Sequence, residues 1–264
     1  MKAPTRVRFH VAYEGTDFCG WQKQNQGPQK AVGHVLQETL EKLFQEPIKL
    51  CASGRTDAGV HAIRQVCHFD TLKAPEQLKK WDFCWALKSL LPSSIVVKRA
   101  WLAPPEFHAT LSATHKTYRY WILNQPRQSP FLSRYALWLH KPICLEHLQK
   151  SSEFLLGHHD FKSFQSAGTM VATTDRRIFE ACWTMKRPGL FQFEITGSGF
   201  LKQMVRNIVG TSLDLERARR PPSEMKKIME ACDRKRAGSA AAAQGLHLYR
   251  VYYPRELDKR CQAL

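Results

Sequence analysis

Apolar residues in this chain recur first at every second position and then at helical spacing, and that switch repeats in a fixed order. Val7, Phe9, Val11 and Tyr13 alternate with Arg6, Arg8 and His10, the period of a half-buried strand. Val32, Val35, Leu36, Leu40, Leu43 and Phe44 follow at helical spacing, and Pro47 stops the helix. Ile48 to Cys51 is a short apolar run that ends in a glycine-flanked loop, and Ile63 to Phe69 reads as the next strand. Pro75 opens a second helix, with Leu78, Trp81, Trp85, Leu87 and Leu91 facing inward. Ile95 to Leu102 is a further strand, closed by Pro104-Pro105.

This order, β-α-β-β-α-β, is the split arrangement of ferredoxin-like domains and RNA-recognition modules. The second half repeats it. Thr117 to Leu123 reads as a strand and Leu145 to Leu156 as a helix. Ile178 to Met185 and Leu190 to Thr196 make a hairpin across Pro188-Gly189. Phe200 to Leu215 is a helix, and Leu246 to Tyr253 is the final strand. A helix opened by Pro221-Pro222 and running to about Asp233 is an insertion before that strand. The prediction is an α+β fold of two tandem split-βαβ halves, residues 1–106 and 107–264. They form one extended, mainly antiparallel sheet with helices on one side and a cleft between the halves. No sequence repeat is visible, so the duplication is topological.

The charge is lopsided. Lys and Arg number 40 against 23 Asp and Glu, a net +17. Such a balance predicts an anionic partner, of which nucleic acid is the commonest. A membrane surface would need an amphipathic basic helix or a lipidation signal, and the sequence shows neither. Residues 107–264 carry most of the excess, +12 against +5 for residues 1–106. The eight cysteines stand singly, mostly in apolar runs, and read as reduced buried residues of a cytoplasmic protein. No apolar run approaches the length of a membrane span.

The chemistry concentrates in Ala52-Ser53-Gly54-Arg55-Thr56-Asp57-Ala58-Gly59-Val60-His61-Ala62. Two glycines flank an Arg-Thr-Asp core, which suits a tight turn with positive φ. A guanidinium beside a carboxylate favours the ionised acid. The plainer reading is a surface turn with an incidental Arg–Asp pair. The eight residues Gly54 to His61 closely resemble the signature loop of the TruA family of tRNA pseudouridine synthases. The resemblance continues in Gly20-Trp21-Gln22-x-Gln24, in Phe107-His108-Ala109 with Tyr118-Arg119-Tyr120, and in Met204-Val205-Arg206-Asn207-Ile208-Val209-Gly210. It ends in Gln244-Gly245-Leu246-His247-Leu248.

The resemblance implies an isomerase that cuts the N1–C1′ bond of a uridine, turns the base and rejoins it through C5. No cofactor and no metal are expected. Asp57 is implied as the nucleophile, attacking uracil C6 or ribose C1′. Arg55 is implied to keep Asp57 charged and oriented, and also to meet a phosphate. Tyr118 is implied to stack on an extruded base and manage the C5 proton; its alternative is a tyrosine on the core face of a strand. Arg206 is implied to point into the cleft and pair with Asp57 or a phosphate, and Leu246 to wall the base pocket. The implied substrate is the anticodon stem-loop of tRNA at positions 38 to 40, bound by a homodimer.

Three departures from the family pattern stand out. Ala31-Val32-Gly33 replaces a usual Thr-Val-Gln, Thr110 a usual Arg, and Lys202-Gln203 a usual Tyr-His. His158-His159-Asp160 lacks a further ligand at metal spacing, and Arg217, Arg219, Arg220 and Arg234-Lys235-Arg236 read as phosphate contacts. Two other readings remain open: the same chemistry at other RNA positions, and a catalytically silent RNA-binding protein on this scaffold.

Overall fold

The computed structural model describes residues 4–22, 28–168 and 171–264, so Gln24 of the Gly-Trp-Gln-x-Gln pattern lies outside the described residues. The first elements are β1 (Thr5–Tyr13), α1 (Val32–Phe44), β2 (Cys51–Ala52), β3 (His61–Thr71), α2 (Pro75–Leu78), α3 (Phe83–Leu90) and β4 (Ile95–Ala103). Next come β5 (His115–Asn124), β6 (Leu137–Leu139), α4 (Leu145–Glu153), β7 (Gly157–Asp160), β8 (Asp175–Arg187) and β9 (Leu190–Gly197). The chain ends with α5 (Met204–Arg217), α6 (Glu224–Glu230), β10 (Leu246–Tyr252), α7 (Arg255–Lys259) and β11 (Gln262–Ala263).

Two compact units result, one built from the residues up to Thr114 together with Leu248–Leu264, the other from His115–His247. Compactness thus divides the chain after Thr114 rather than after Glu106, and the C-terminal segment rejoins the first unit. Both units are α+β.

In the first unit the strand order is β11-β4-β1-β3-β10, with β2 beside β3. The pairings β11–β4, β4–β1, β1–β3 and β2–β3 are all antiparallel. Register places Val7 opposite Phe69 and Phe9 opposite Cys67, so these side chains share one face. That face is the core. Leu36, Leu40 and Phe44 of α1 and Phe83 and Leu87 of α3 are buried with it. Phe69 stacks on Phe83 at 6.1 Å and meets Phe44 edge-on at 5.1 Å. Burying aromatic rings of this size is worth roughly 1.5–3 kcal/mol each.

The other face is polar. Arg6 makes a two-pronged pair with Asp70 at 2.7 Å, and that hydrogen bond holds the Asp70 carboxyl below its usual range. The Arg8 guanidinium lies over Tyr253, Phe107 and Trp101, at 4.6, 4.9 and 5.5 Å from their centroids, and reaches Asp258 at 2.5 Å. These contacts tie the C-terminal segment to β1. His10 has a buried Nε2 with no hydrogen-bond partner, and burial, helped by Arg8, Arg64, Arg99 and Arg250, lowers its pKa to about 3.

In the second unit the order is β5-β9-β8-β7, antiparallel throughout, with β6 parallel to β5. Trp183 of β8 faces Phe193 of β9 in register and stacks on it at 4.8 Å. The hairpin turns at Pro188-Gly189, where Gly189 has φ +74°.

Several expectations change. The expected helix from Pro75 breaks into α2 and α3 because the Asp82 carboxylate accepts the Trp85 N–H and starts a new helix. Trp85 is consequently 68% exposed, and Phe83 takes the buried place. The helix expected from Phe200 starts at Met204, after Gln203 in the left-handed region at φ 59°. His158-His159-Asp160 lies in β7. Of the eight cysteines, all unpaired, only Cys67 is buried, and Cys144 and Cys182 are exposed. No described helix is long and apolar enough to cross a membrane.

Candidate active site

In the first unit, the loop that carries Asp57 is fixed mainly through its backbone. The Trp21 N–H donates to the Thr56 carbonyl at 3.0 Å, and the Thr56 and Tyr13 hydroxyls are hydrogen-bonded at 2.8 Å. Gly20 makes this approach possible: its φ is +97°, and a Cβ there would stand 2.6 Å from the Thr56 carbonyl oxygen. The Val60 N–H donates to the Asp57 carbonyl at 3.2 Å, closing a turn in which Gly59 has φ +75°. Gly54, the other flanking glycine, does not need positive φ. Its carbonyl instead accepts the buried Gln65 side-chain amide at 2.9 Å. The Gly15 N–H donates to His61 Nδ1 at 3.0 Å, and Ser53 donates its N–H to Val66 at 2.8 Å.

Within this frame Asp57 is half-buried and Arg55 is exposed. Among the described residues no hydrogen bond or ion pair joins the two. The backbone contacts on both sides of Asp57 fix the path of the loop that carries the carboxylate. Thr110, at the position where the family pattern has arginine, donates its hydroxyl to the Ala52 carbonyl at 2.6 Å and so braces the strand that feeds the loop.

In the second unit, Tyr118, Tyr120 and Ile122 share one face of β5, and register sets Tyr118 opposite Ile195. Tyr118 is buried, and its ring meets Phe200 edge-on at 5.0 Å. The Tyr120 hydroxyl donates to the Ala242 carbonyl at 2.8 Å, and burial raises its pKa. Lys116, also on that face, has its pKa lowered to about 8 by burial.

Arg206 donates through Nε to the Ala241 carbonyl at 2.7 Å and accepts the Ala241 N–H on its own carbonyl at 3.0 Å. Its neighbour Asn207 is fully buried. Its amide donates to the Phe164 carbonyl at 2.7 Å, and its oxygen accepts from Arg234 at 3.0 Å. Gly210 admits the 239–241 segment, since a Cβ there would lie 1.8 Å from the Ser239 carbonyl oxygen. Leu246 opens β10 and is buried. The structure therefore gathers Arg206 and Tyr120 around the 241–245 segment that leads into Leu246.

The basic clusters divide. Arg217 lies 3.8 Å from Asp214, and Arg220 pairs with Glu224 at 2.6 Å. Arg234 points inward to the Ala237 and Gly238 carbonyls as well as to Asn207. It is a structural arginine, not the solvent-facing phosphate contact expected.

Sequence reasoning missed the braces: Tyr13, Gly15, Gly20, Gln65 and Thr110. The one signal for them was polar or glycine residues placed where an apolar pattern wanted a side chain, Gln65 inside β3 above all.

A family model described as tRNA pseudouridine synthase matches residues 10–110 and 152–254. A protein of Bdellovibrio bacteriovorus called tRNA pseudouridine synthase A is 62% identical over 98% of this chain and 99% of its own. Proteins of the same name from Bacillus subtilis and Ruminiclostridium cellulolyticum are 40% and 37% identical, each over 94% of this chain and 99% of their own.

Proposed function

The chain belongs to the tRNA pseudouridine synthase family, and from that premise we propose how its residues perform the isomerisation. The enzyme converts uridine in tRNA to pseudouridine, with the anticodon stem-loop at positions 38 to 40 as its target and the cytoplasm as its place of action. The reaction breaks N1–C1′ and forms C5–C1′; C5 gives up a proton and N1 gains one, so atoms balance with no external group. Asp57 supplies the nucleophilic carboxylate, at uracil C6 or ribose C1′. What supports this is a half-exposed acid on a loop whose backbone is held on both sides of it. Such pre-organisation lets the carboxylate meet an extruded base without reorganising.

Arg55, exposed and next to that loop, serves the RNA phosphate. Tyr118 offers a ring to the extruded base and a hydroxyl to the C5 proton. Arg206 meets a phosphate from a position fixed by Ala241, and Leu246 supplies an apolar wall. The enzyme works as a homodimer whose two subunits share one tRNA. A monomer in light scattering that retained full activity would end that part of the reading.

The deciding experiment maps pseudouridine in tRNA from cells with and without this protein. Loss at positions 38 to 40 alone is expected. Loss at other positions would move the target, and no loss anywhere would favour a silent RNA-binding protein.

A further inference from the structure

On the polar face of the first unit, beside the Thr110 brace of the strand that enters the Asp57 loop, Cys51, His68 and His108 come together. The thiol and one nitrogen from each ring lie within 4.8 Å of one another. Cys51 in β2 is the register partner of His68 in β3, and the His108 ring meets the His68 ring edge-on at 4.7 Å. Cys51 and His108 are half-exposed and His68 is buried, so the group opens toward solvent on one side. Sulfur with two imidazoles is a borderline-soft donor set, suited to zinc and its neighbours and unsuited to magnesium or calcium.

We propose that Cys51, His68 and His108 form a binding site for a single zinc-type transition-metal ion, with water completing a tetrahedron. The proposal does not depend on the catalytic roles given above. Bond lengths of about 2.3 Å to sulfur and 2.0–2.1 Å to nitrogen set donor separations of roughly 3.3–3.6 Å. The three donors therefore draw in by an ångström or so, which the half-exposed Cys51 and His108 side chains allow.

The histidine hydrogen bonds predict what capture entails. The Ala109 N–H donates to His68 Nδ1 at 3.2 Å, and the Thr110 and Leu111 N–H groups donate to His108 Nδ1 at 3.2 Å each. A neutral ring that accepts on Nδ1 carries its proton on Nε2. An ion that takes Nε2 sends that proton to Nδ1, where it faces the amides and opens these contacts. The cysteine releases its thiol proton to solvent at the same time. Metal capture then ties β2, β3 and the 107–112 turn together while freeing three amides of that turn. Because Thr110 also braces Ala52, the ion acts on the strand that enters the Asp57 loop.

The experiment titrates Zn²⁺, and Co²⁺ as a coloured substitute, into the reduced full-length protein. One ion per chain is expected, with a thiolate-to-cobalt charge-transfer band that Cys51→Ser and His108→Ala each abolish. Amide exchange at Ala109, Thr110 and Leu111 should quicken on Zn²⁺ addition in the unmutated chain only. No stoichiometric binding, or a band that survives Cys51→Ser, would overturn the proposal. Binding that leaves the three amides as protected as before would overturn coordination through Nε2. Both variants are checked for an unchanged circular dichroism spectrum, and if His108→Ala fails that check, His108→Gln takes its place with the same expected loss.

Discussion

The Asp57 loop of the first unit and the Arg206 helix of the second are both family motifs, but they use their residues in opposite ways. Around Asp57 the motif's backbone is held by hydrogen bonds from neighbouring segments, with Arg55 exposed and Asp57 half-buried. Around Arg206 the motif is mostly consumed by its own unit. Asn207 is fully buried in hydrogen bonds, Gly210 admits the Ser239 backbone, and Arg206 is pinned to Ala241. A recurring sequence string can mark chemistry or it can mark a difficult packing problem, and how deeply its residues are buried helps to separate the two.

Replacement of Asp57 by asparagine breaks the comparison most sharply. It keeps shape and removes the nucleophile, so pseudouridine formation should fall by about a thousandfold or more, while tRNA affinity stays within a few-fold. Turnover above a tenth of wild type in a tRNA assay would contradict the role of the loop. Tyr118→Phe keeps the ring against Phe200 and loses the hydroxyl. Turnover should drop by about a hundredfold with binding retained, the scale of one proton-transfer group. A Phe variant with normal turnover would make Tyr118 a packing residue, like much of the Arg206 motif.

A pair of glycine variants compares the two regions directly. Gly210→Ala forces a Cβ against the Ser239 backbone and should cost about 3 kcal/mol or more of stability, measured by urea unfolding. Per folded molecule it should weaken tRNA affinity rather than kcat, because the displaced segment carries the Ala241 carbonyl that fixes Arg206. Gly20→Ala strains a positive-φ position against Thr56 and should cost about 1–3 kcal/mol. Here kcat should fall as well, because the displaced backbone carries Asp57. Equal effects on kcat from both would erase the distinction between the motifs.

The smallest effect is on acid stability. Burial, as the larger cause, lowers His10 from 6.5 to about 3 and His68 from 6.5 to about 4, and both belong to the first unit. Below pH 6.5 the unfolded chain binds protons that the folded chain refuses. Their contribution to stability is therefore whole above pH 6.5 and is lost as pH falls toward 4. The thermal midpoint should decline over that range, and His10→Phe, placed against Trp101, should flatten the decline. An unchanged slope would show that other groups govern acid unfolding.

Much of this was legible in the residues. The alternation in β1, the spacing in α1, the hairpin at Pro188-Gly189 and the α+β class follow from periodicity and turn chemistry, which are local. What escaped was decided at a distance or by a single cap. The break before Phe83 depends on one Asp82 carboxylate, and the late start of α5 on Gln203 adopting a left-handed conformation. The inward turn of Arg234 depends on an asparagine far from it in sequence. The candidate site was legible as a string, but the absence of an Arg55–Asp57 pair among the described residues could not be read from two residues' spacing.

The return of Leu248–Leu264 to the first unit orders events on the ribosome. The second unit is one uninterrupted stretch and can close as soon as it has emerged. The first must wait for β10, α7 and the Arg8–Asp258 contact, which are made last. At about 5–20 residues/s, synthesis of the intervening stretch takes roughly 7 to 27 s. During that interval the half-built sheet around Asp57 lacks its closing segment. The growing polypeptide thus carries its reactive acid well before it has the scaffold to use it. Nascent chains released early should be inert, and they should be open to chaperones and proteases at β3.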